Sequence, residues 1–340
     1  MKENITSRII ELESPGLIKT VETEIVPEKL KSTAIIAETI YTAVSPGTEL
    51  GAYKGNPPLR PGKAYPRLLG YCNLAEVIHV GDQVQRFKKG DKILTLESHR
   101  SHFVMDETDF AILIRNEIGL KKITTAYLFH IAYNALLKGE AKNGSNIAIV
   151  GIGTLGMTAL LLSDHFGYNT FAFTNLDVYK PEDRLWKSVK LFRKDEKSLM
   201  QRLYEVSGDV GMDLVVSTSN DWNDWLLALQ ICRKGGTILV IGFPGRSSLP
   251  NFNPLDSQYF YDKQITIKAC GYSPHVEVPA WDIRYTKKRN MELLVRLIQE
   301  NKLPAERLIS FEDSWINIEK VYAKYMDRKS PLFTCLLHWR

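Results

Sequence analysis

Long apolar runs are missing from this 340-residue chain. No stretch approaches the roughly 20 consecutive apolar residues of a membrane-crossing helix, which argues against a helical membrane protein. Cysteine is scarce, and Cys72, Cys232, Cys270 and Cys335 lie far apart. That spacing excludes a zinc knuckle or a Cys-x-x-Cys redox motif and leaves buried thiols as the simplest reading. The polar start, Met1 to Arg8, lacks a signal-peptide core, so a cytoplasmic protein is expected. Charge of one sign is also in short supply. Lys and Arg number 44 against 39 Asp and Glu, a net of +5. Basic residues occur only in short runs such as Lys88-Lys89, Lys121-Lys122 and Lys287-Lys288-Arg289, as solvated faces do, so neither a nucleic acid nor a membrane surface is the expected partner. No internal repeat or low-complexity segment is visible. What remains is ordinary for a globular protein, with 44% hydrophobic and 24% charged residues. The length exceeds one ordinary core, so two domains are expected.

The first third reads as β-rich. Ser32–Val44, Leu74–Val80 and Lys92–Leu96 have strand-like spacing, with turn signals at Gly81-Asp82 and Lys89-Gly90-Asp91. Short strands so punctuated suggest a small barrel-like domain. The texture changes near residue 120. A helical pattern covers Thr125–Leu137, and strands are expected at Asn146–Val150, Asn169–Thr174, Met212–Ser217, Gly235–Gly242 and Gln264–Cys270, with a helix at Trp222–Cys232. Such alternation predicts an α/β domain with a doubly wound parallel sheet. Asn290–Glu300 and Ile316–Tyr325 read as amphipathic helices and Phe333–Trp339 as a closing strand, while the highly charged Lys180–Lys197 is expected as a surface excursion.

The most informative stretch is Gly151-Ile152-Gly153-Thr154-Leu155-Gly156, set between the strand ending at Val150 and an apolar helix from Met157. A strand, a tight turn and a helix N-terminus together aim main-chain N–H groups and a positive dipole end at a pyrophosphate. A dinucleotide cofactor is therefore expected, held by Gly151, Gly153, Thr154, Leu155 and Gly156. The position about 20 residues on, Asn175, bears on the choice of cofactor, since an acid there normally binds the 2′-hydroxyl of NAD. Asn175 does not repel a 2′-phosphate, and Lys180 and Arg184 follow it; Asp177 argues the other way. The balance tips slightly to NADP(H) over NAD(H). Ser217, Thr218 and Ser219 end one strand and Ile241, Gly242 and Phe243 the next, so both should open on the ligand crevice. Of these, Ser217, Thr218, Gly242 and Phe243 are candidate cofactor contacts alongside Asn175 and Lys180.

Ala43-Val-Ser-Pro-Gly-Thr-Glu-Leu50, Pro66-Arg-Leu-Leu-Gly-Tyr-Cys-Asn-Leu-Ala-Glu-Val77, Gly81-Asp-Gln-Val84 with Gly90-Asp91, and the glycine motif together resemble the zinc-type medium-chain dehydrogenase/reductase superfamily over nearly the whole chain. Ser-Pro-Gly-Thr-Glu with a following Gly-Tyr pair resembles the subgroup that includes bacteriochlorophyllide dehydrogenase. The resemblance implies a GroES-like β-rich substrate domain at 1–122, a Rossmann domain at 123–272, a C-terminal return at 273–340, and a homodimer paired along Ile265–Ala269. Relatives hold a catalytic zinc, yet Pro46 stands at the cysteine ligand position and Tyr71 at the histidine position. The third ligand position falls near Tyr127–His130. Cys72, Glu49 and His130 are the donors that would have to rebuild a site, and a metal-free one is expected.

Hydrogen-bond donors must then stand in for the Lewis acid. Thr48 matches a hydroxyl position of the relatives and is a candidate proton relay or, alternatively, a helix-capping hydroxyl. Tyr71 is a candidate donor to a carbonyl oxygen, or a packed aromatic in the space a metal vacated. Tyr53 is a weaker candidate. Glu49 is a possible base and more often a brace, while His99 and His102 are read as structural. The expected activity is NAD(P)-dependent interconversion of a secondary alcohol and a ketone on a fairly large small-molecule substrate, plausibly in specialised biosynthesis. A zinc-free alkene or quinone reductase is one rival, and a non-catalytic nucleotide-binding protein the other.

Overall fold

The computed structural model describes residues 3–57, 63–179, 182–244, 249–275, 278–327 and 331–340. The chain packs as two units, residues 1–127 with 275–328 and 333–340, and residues 128–274 with 329–332.

The first unit opens with a hairpin of β1 (Ile5–Ser14) and β2 (Leu17–Ile25), turned at Gly16, whose φ of 77° suits a residue without a side chain. Neither strand is among those expected from the sequence. β3 (Ala34–Ala43) leads through Val44 and Ser45 into helix α1 (Pro46–Tyr53), where Pro46 fits the first helical turn because no intrahelical N–H bond is needed there. β4 (Arg67–Leu68) joins β1 to give the sheet β2-β1-β4. Next come β5 (Asn73–Val80), β6 (Lys92–Thr95), β7 (His102–Asp106), β8 (Ala111–Ile114) and the short helix α2 (Leu120–Ile123). Ile35 and Ala37 of β3 meet Ala75, Val77, Ile93, Phe103 and Met105 in one apolar core.

Helix α3 (Ala126–Gly139) leads to the second unit. There β9 (Asn146–Val150), helix α4 (Thr154–His165), β10 (Asn169–Phe173), α5 (Leu185–Ser188), β11 (Lys190–Phe192), α6 (Leu199–Ser207), β12 (Met212–Ser217), α7 (Trp222–Ile231), β13 (Cys232–Val240) and β14 (Thr266–Ala269) build a parallel sheet of order β11-β10-β9-β12-β13-β14. The order reverses between β9 and β12, and ligands of such sheets bind beyond the strand ends at that switch. The expected surface excursion at 180–197 is corrected in its described part. Leu185, Trp186, Val189 and Phe192 are buried there, and β11 forms the edge of the sheet. Lys190 lies over the Phe171 ring, and Arg202 of α6 lies over Phe192.

The chain then returns to the first unit through α8 (Lys287–Gln299), β15 (Ile309–Ser314), α9 (Ile318–Met326) and β16 (Thr334–His338). The β-sheet there runs β15-β16-β3-β5-β6-β8, with β7 also on β3. A 3₁₀ turn at Trp315–Asn317 precedes α9, so the helix starts two residues later than its apolar pattern suggests. No helix among the described residues is long and apolar enough to cross a membrane.

Candidate functional site

In the second unit the loops after β9, β12 and β13 meet. Gly151 turns the chain with φ of 90°. A Cβ on Gly156 would lie 1.9 Å from the Gly151 carbonyl oxygen, and one on Gly242 would lie 2.2 Å from the Thr218 carbonyl carbon. Both glycines are required by close packing. A Cβ on Gly153 would meet nothing within 4 Å. The start of α4, where Gly153, Thr154 and Leu155 follow one another, thus borders open space of the kind a diphosphate occupies. Thr218 locks the loop, donating from Oγ1 to the Gly151 carbonyl at 2.5 Å while its amide donates to the Val150 carbonyl at 3.1 Å. Ser217 is buried, and its carbonyl accepts the amides of Ile241 and Gly242 at 3.0 and 2.8 Å. The Phe243 amide donates to Asn220 Oδ1 at 3.0 Å. The geometry therefore places Ser217, Thr218 and Gly242 as the framework of this crevice. Asn175 is exposed at the end of β10, and its Oδ1 accepts the Lys194 amide at 2.8 Å. Lys180 lies outside the described residues.

In the first unit two of the four candidate catalytic residues, Tyr71 and Thr48, come together beside α1. Tyr71 follows Gly70 in the turn before β5, and its hydroxyl is closely hydrogen-bonded to Ser45 Oγ and 3.4 Å from Thr48 Oγ1. Its ring stands edge-on to Tyr127, centroids 5.5 Å apart. Loss of solvation, reinforced by the field of Cys72, pushes the Tyr71 phenol well above its usual value, beyond what hydrogen bonds from Ser45 and Thr48 offset. The phenol therefore stays protonated. Thr48 is in the first turn of α1; the N-cap position belongs to Ser45, so the alternative of a capping hydroxyl at Thr48 is not what forms. Tyr53, at the far end of α1, packs edge-on against Tyr322, 5.4 Å between centroids.

Glu49 is fully enclosed. Its Oε1 accepts the Ser45 amide at 2.6 Å, and its Oε2 accepts from Tyr322 OH at 2.5 Å and pairs with His99 Nε2 at 3.0 Å. Burial alone would raise this carboxyl; His99, Tyr322 and the Ser45 amide outweigh it and hold Glu49 below its usual range. His99 Nδ1 meets Thr42 Oγ1 at 2.8 Å, which also accepts Trp339 Nε1–H at 2.9 Å. The Glu49 carboxylate is thus a brace. His102, by contrast, is part-exposed and 3.8 Å from Glu38.

Of the donors that would have to rebuild a zinc site, Glu49 and His130 are bonded to other groups. Both Glu49 oxygens are used as described, burial pushes the Cys72 thiol well up and favours its neutral form, and His130 Nε2 pairs with Ser273 Oγ at 3.0 Å. No group of three His, Cys, Asp or Glu among the described residues is arranged to hold a metal ion. Sequence reasoning missed Ser45 and Tyr322. Ser45 carried a signal, since it precedes Pro46 as an N-cap residue does. Tyr322 lies 273 residues from Glu49, with no local pattern to join them.

The fold, a Rossmann unit with a GroES-like β-rich one, is shared with solved alcohol and polyol dehydrogenases. The L-idonate 5-dehydrogenase of Escherichia coli shares it with a TM-score of 0.78, at 14% identity and over 99% of each chain. No protein-family model matches the chain. It is 21% identical over 233 residues to a sorbitol dehydrogenase of Bacillus subtilis, a match spanning 59% of this chain and 65% of that one, just under two thirds of its length. It is 20% identical over 358 residues to an uncharacterized zinc-type alcohol dehydrogenase-like protein of Haemophilus influenzae, spanning 95% of this chain and all of that one.

Proposed function

We propose that the chain is an NAD(P)-dependent oxidoreductase that interconverts a secondary alcohol and a ketone without a catalytic zinc. The observation that carries this reading is the Ser45–Tyr71–Thr48 hydroxyl cluster, in which Tyr71 stands where the relatives place a histidine ligand. The residues present do not fit a zinc ion, because Pro46 has no donor, Tyr71 is held as a neutral phenol, and Glu49 has no free oxygen. The residues after β9 do fit a dinucleotide, with an open Gly153 and close-packed Gly151 and Gly156.

A bound nicotinamide supplies or accepts the hydride. The protein's own part is to manage the oxygen of the substrate. Tyr71 donates its proton to that oxygen, and Ser45 sets the direction: a Ser45 Oγ–H donating to the phenol oxygen leaves the phenol proton to point away from α1. Thr48 Oγ1 is near enough to relay a proton after a small movement.

NADP is taken ahead of NAD because Asn175 brings no carboxylate against a 2′-phosphate. The names of the relatives point to polyol-like alcohols, whereas the Ser-Pro-Gly-Thr-Glu and Gly-Tyr pattern supports a larger substrate of specialised biosynthesis. The outer position of β14 in its sheet supports a homodimer paired along that edge. The test is incubation with NADPH or NADH and panels of ketones and enones. Ketone turnover is expected, with about a 100-fold loss in Tyr71→Phe and unchanged cofactor affinity. Enone turnover alone would favour the alkene reductase, whose enolate needs fewer donors. One zinc per chain, by elemental analysis of protein purified without chelators, would overturn the metal-free reading.

A further inference from the structure

The hydroxyl cluster has two walls, and one buried network touches both. The first wall is Ser45, whose amide donates to Glu49 Oε1 at 2.6 Å while its hydroxyl meets Tyr71. The second is the Gly70-Tyr71 turn. Gly70 has φ of 83°, and a Cβ there would lie 2.7 Å from His99 Cε1 and Nδ1, so the imidazole lies directly against this backbone. The same imidazole reaches Glu49 through Nε2 at 3.0 Å. Tyr322, from α9, supplies a further donor at 2.5 Å, and Trp339, beyond the end of β16, fixes Thr42 beneath His99. His99, Tyr322 and Glu49 are all buried.

We infer that Glu49 is a positioning residue for Tyr71, a buried carboxylate that ties both walls of the hydroxyl cluster together and holds the phenol as a proton donor. The inference rests on the function proposed above. The groups facing Glu49 are the Ser45 amide, His99 and Tyr322, with Tyr325 and Cys335 in its field. Those facing Tyr71 are Ser45, Thr48, Cys72, the Tyr127 ring and Glu49 itself. The negative charge of Glu49 opposes ionisation of Tyr71, so removing it lowers the pH at which the phenol ionises.

The test is a double-mutant cycle with a spectroscopic arm. Glu49→Gln should lower kcat for ketone reduction about tenfold when Tyr71 is present and cause no further loss in the Tyr71→Phe background. Its dinucleotide Kd should stay unchanged. The tyrosinate absorbance of Tyr71, obtained as the difference between chains with and without Tyr71→Phe, should titrate at lower pH in Glu49→Gln. Equal losses with and without Tyr71, or an unmoved titration, would overturn the inference. The titration needs no turnover. If Tyr71→Phe keeps full activity, the proposed function fails, and the titration still decides whether Glu49 governs Tyr71. Should Glu49→Gln fail to fold, Tyr322→Phe removes one donor from Glu49 and keeps the charge. It should lower kcat severalfold only when Tyr71 is present, and a Tyr71-independent loss would overturn the inference.

Discussion

At the residue scale, two glycines of one motif, Gly156 and Gly153, with the same absent side chain do different jobs. Gly156 is required by packing, since its Cβ would collide with the Gly151 carbonyl. Gly153 faces open space, so its smallness matters only to a ligand. Gly156→Val should therefore destabilise the fold by about 3 kcal/mol, seen as a lowered urea midpoint. Gly153→Val should leave that midpoint in place and abolish dinucleotide binding in a fluorescence titration. Equal destabilisation by both changes would contradict the assignment. The motif was legible because its three glycines sit in one local run. The Glu49 brace was not. Its partners His99, Tyr322 and Ser45 come from separate elements, and a carboxylate beside a Thr reads equally as a base, a cap or a brace until its neighbours are in place.

At the scale of elements, strands with a clear alternation or a fully apolar run were readable. Asn146–Val150 and Met212–Ser217 form with the bounds expected of them. β11 was hidden because only a few apolar residues anchor it among many charged ones, and Lys190 and Arg202 lie over the Phe171 and Phe192 rings. The end of α7 carries a similar hidden device. Lys263 Nζ donates to the carbonyls of Leu229, Gln230 and Cys232 at 2.9, 2.7 and 3.0 Å, capping the helix where its negative dipole end gathers. Burial lowers the proton affinity of this lysine, yet three acceptors keep the ammonium in place. Lys263→Met keeps the stem and removes the cap. It should cost about 1–3 kcal/mol, measured as a lowered urea midpoint with an unchanged m-value. An unchanged midpoint would mean that water replaces the ammonium without loss.

For the whole molecule, the strand order β11-β10-β9-β12-β13-β14 and the return of β15 and β16 to the first unit give a chain built as two units. The alternation of strands and helices after residue 120 made the parallel sheet readable in advance. The N-terminal hairpin was not readable, because Ile10 and Leu12 are buried beside Ser7 in a segment that otherwise looks polar. The central claim is that the second unit holds a pyridine dinucleotide on the main chain around Gly153. Isothermal titration of the folded full chain with NADPH and with NADH tests it most directly. The account predicts saturable one-to-one binding of at least one of them, lost in Gly153→Val; no heat of binding from either, on protein shown to be folded, would contradict it.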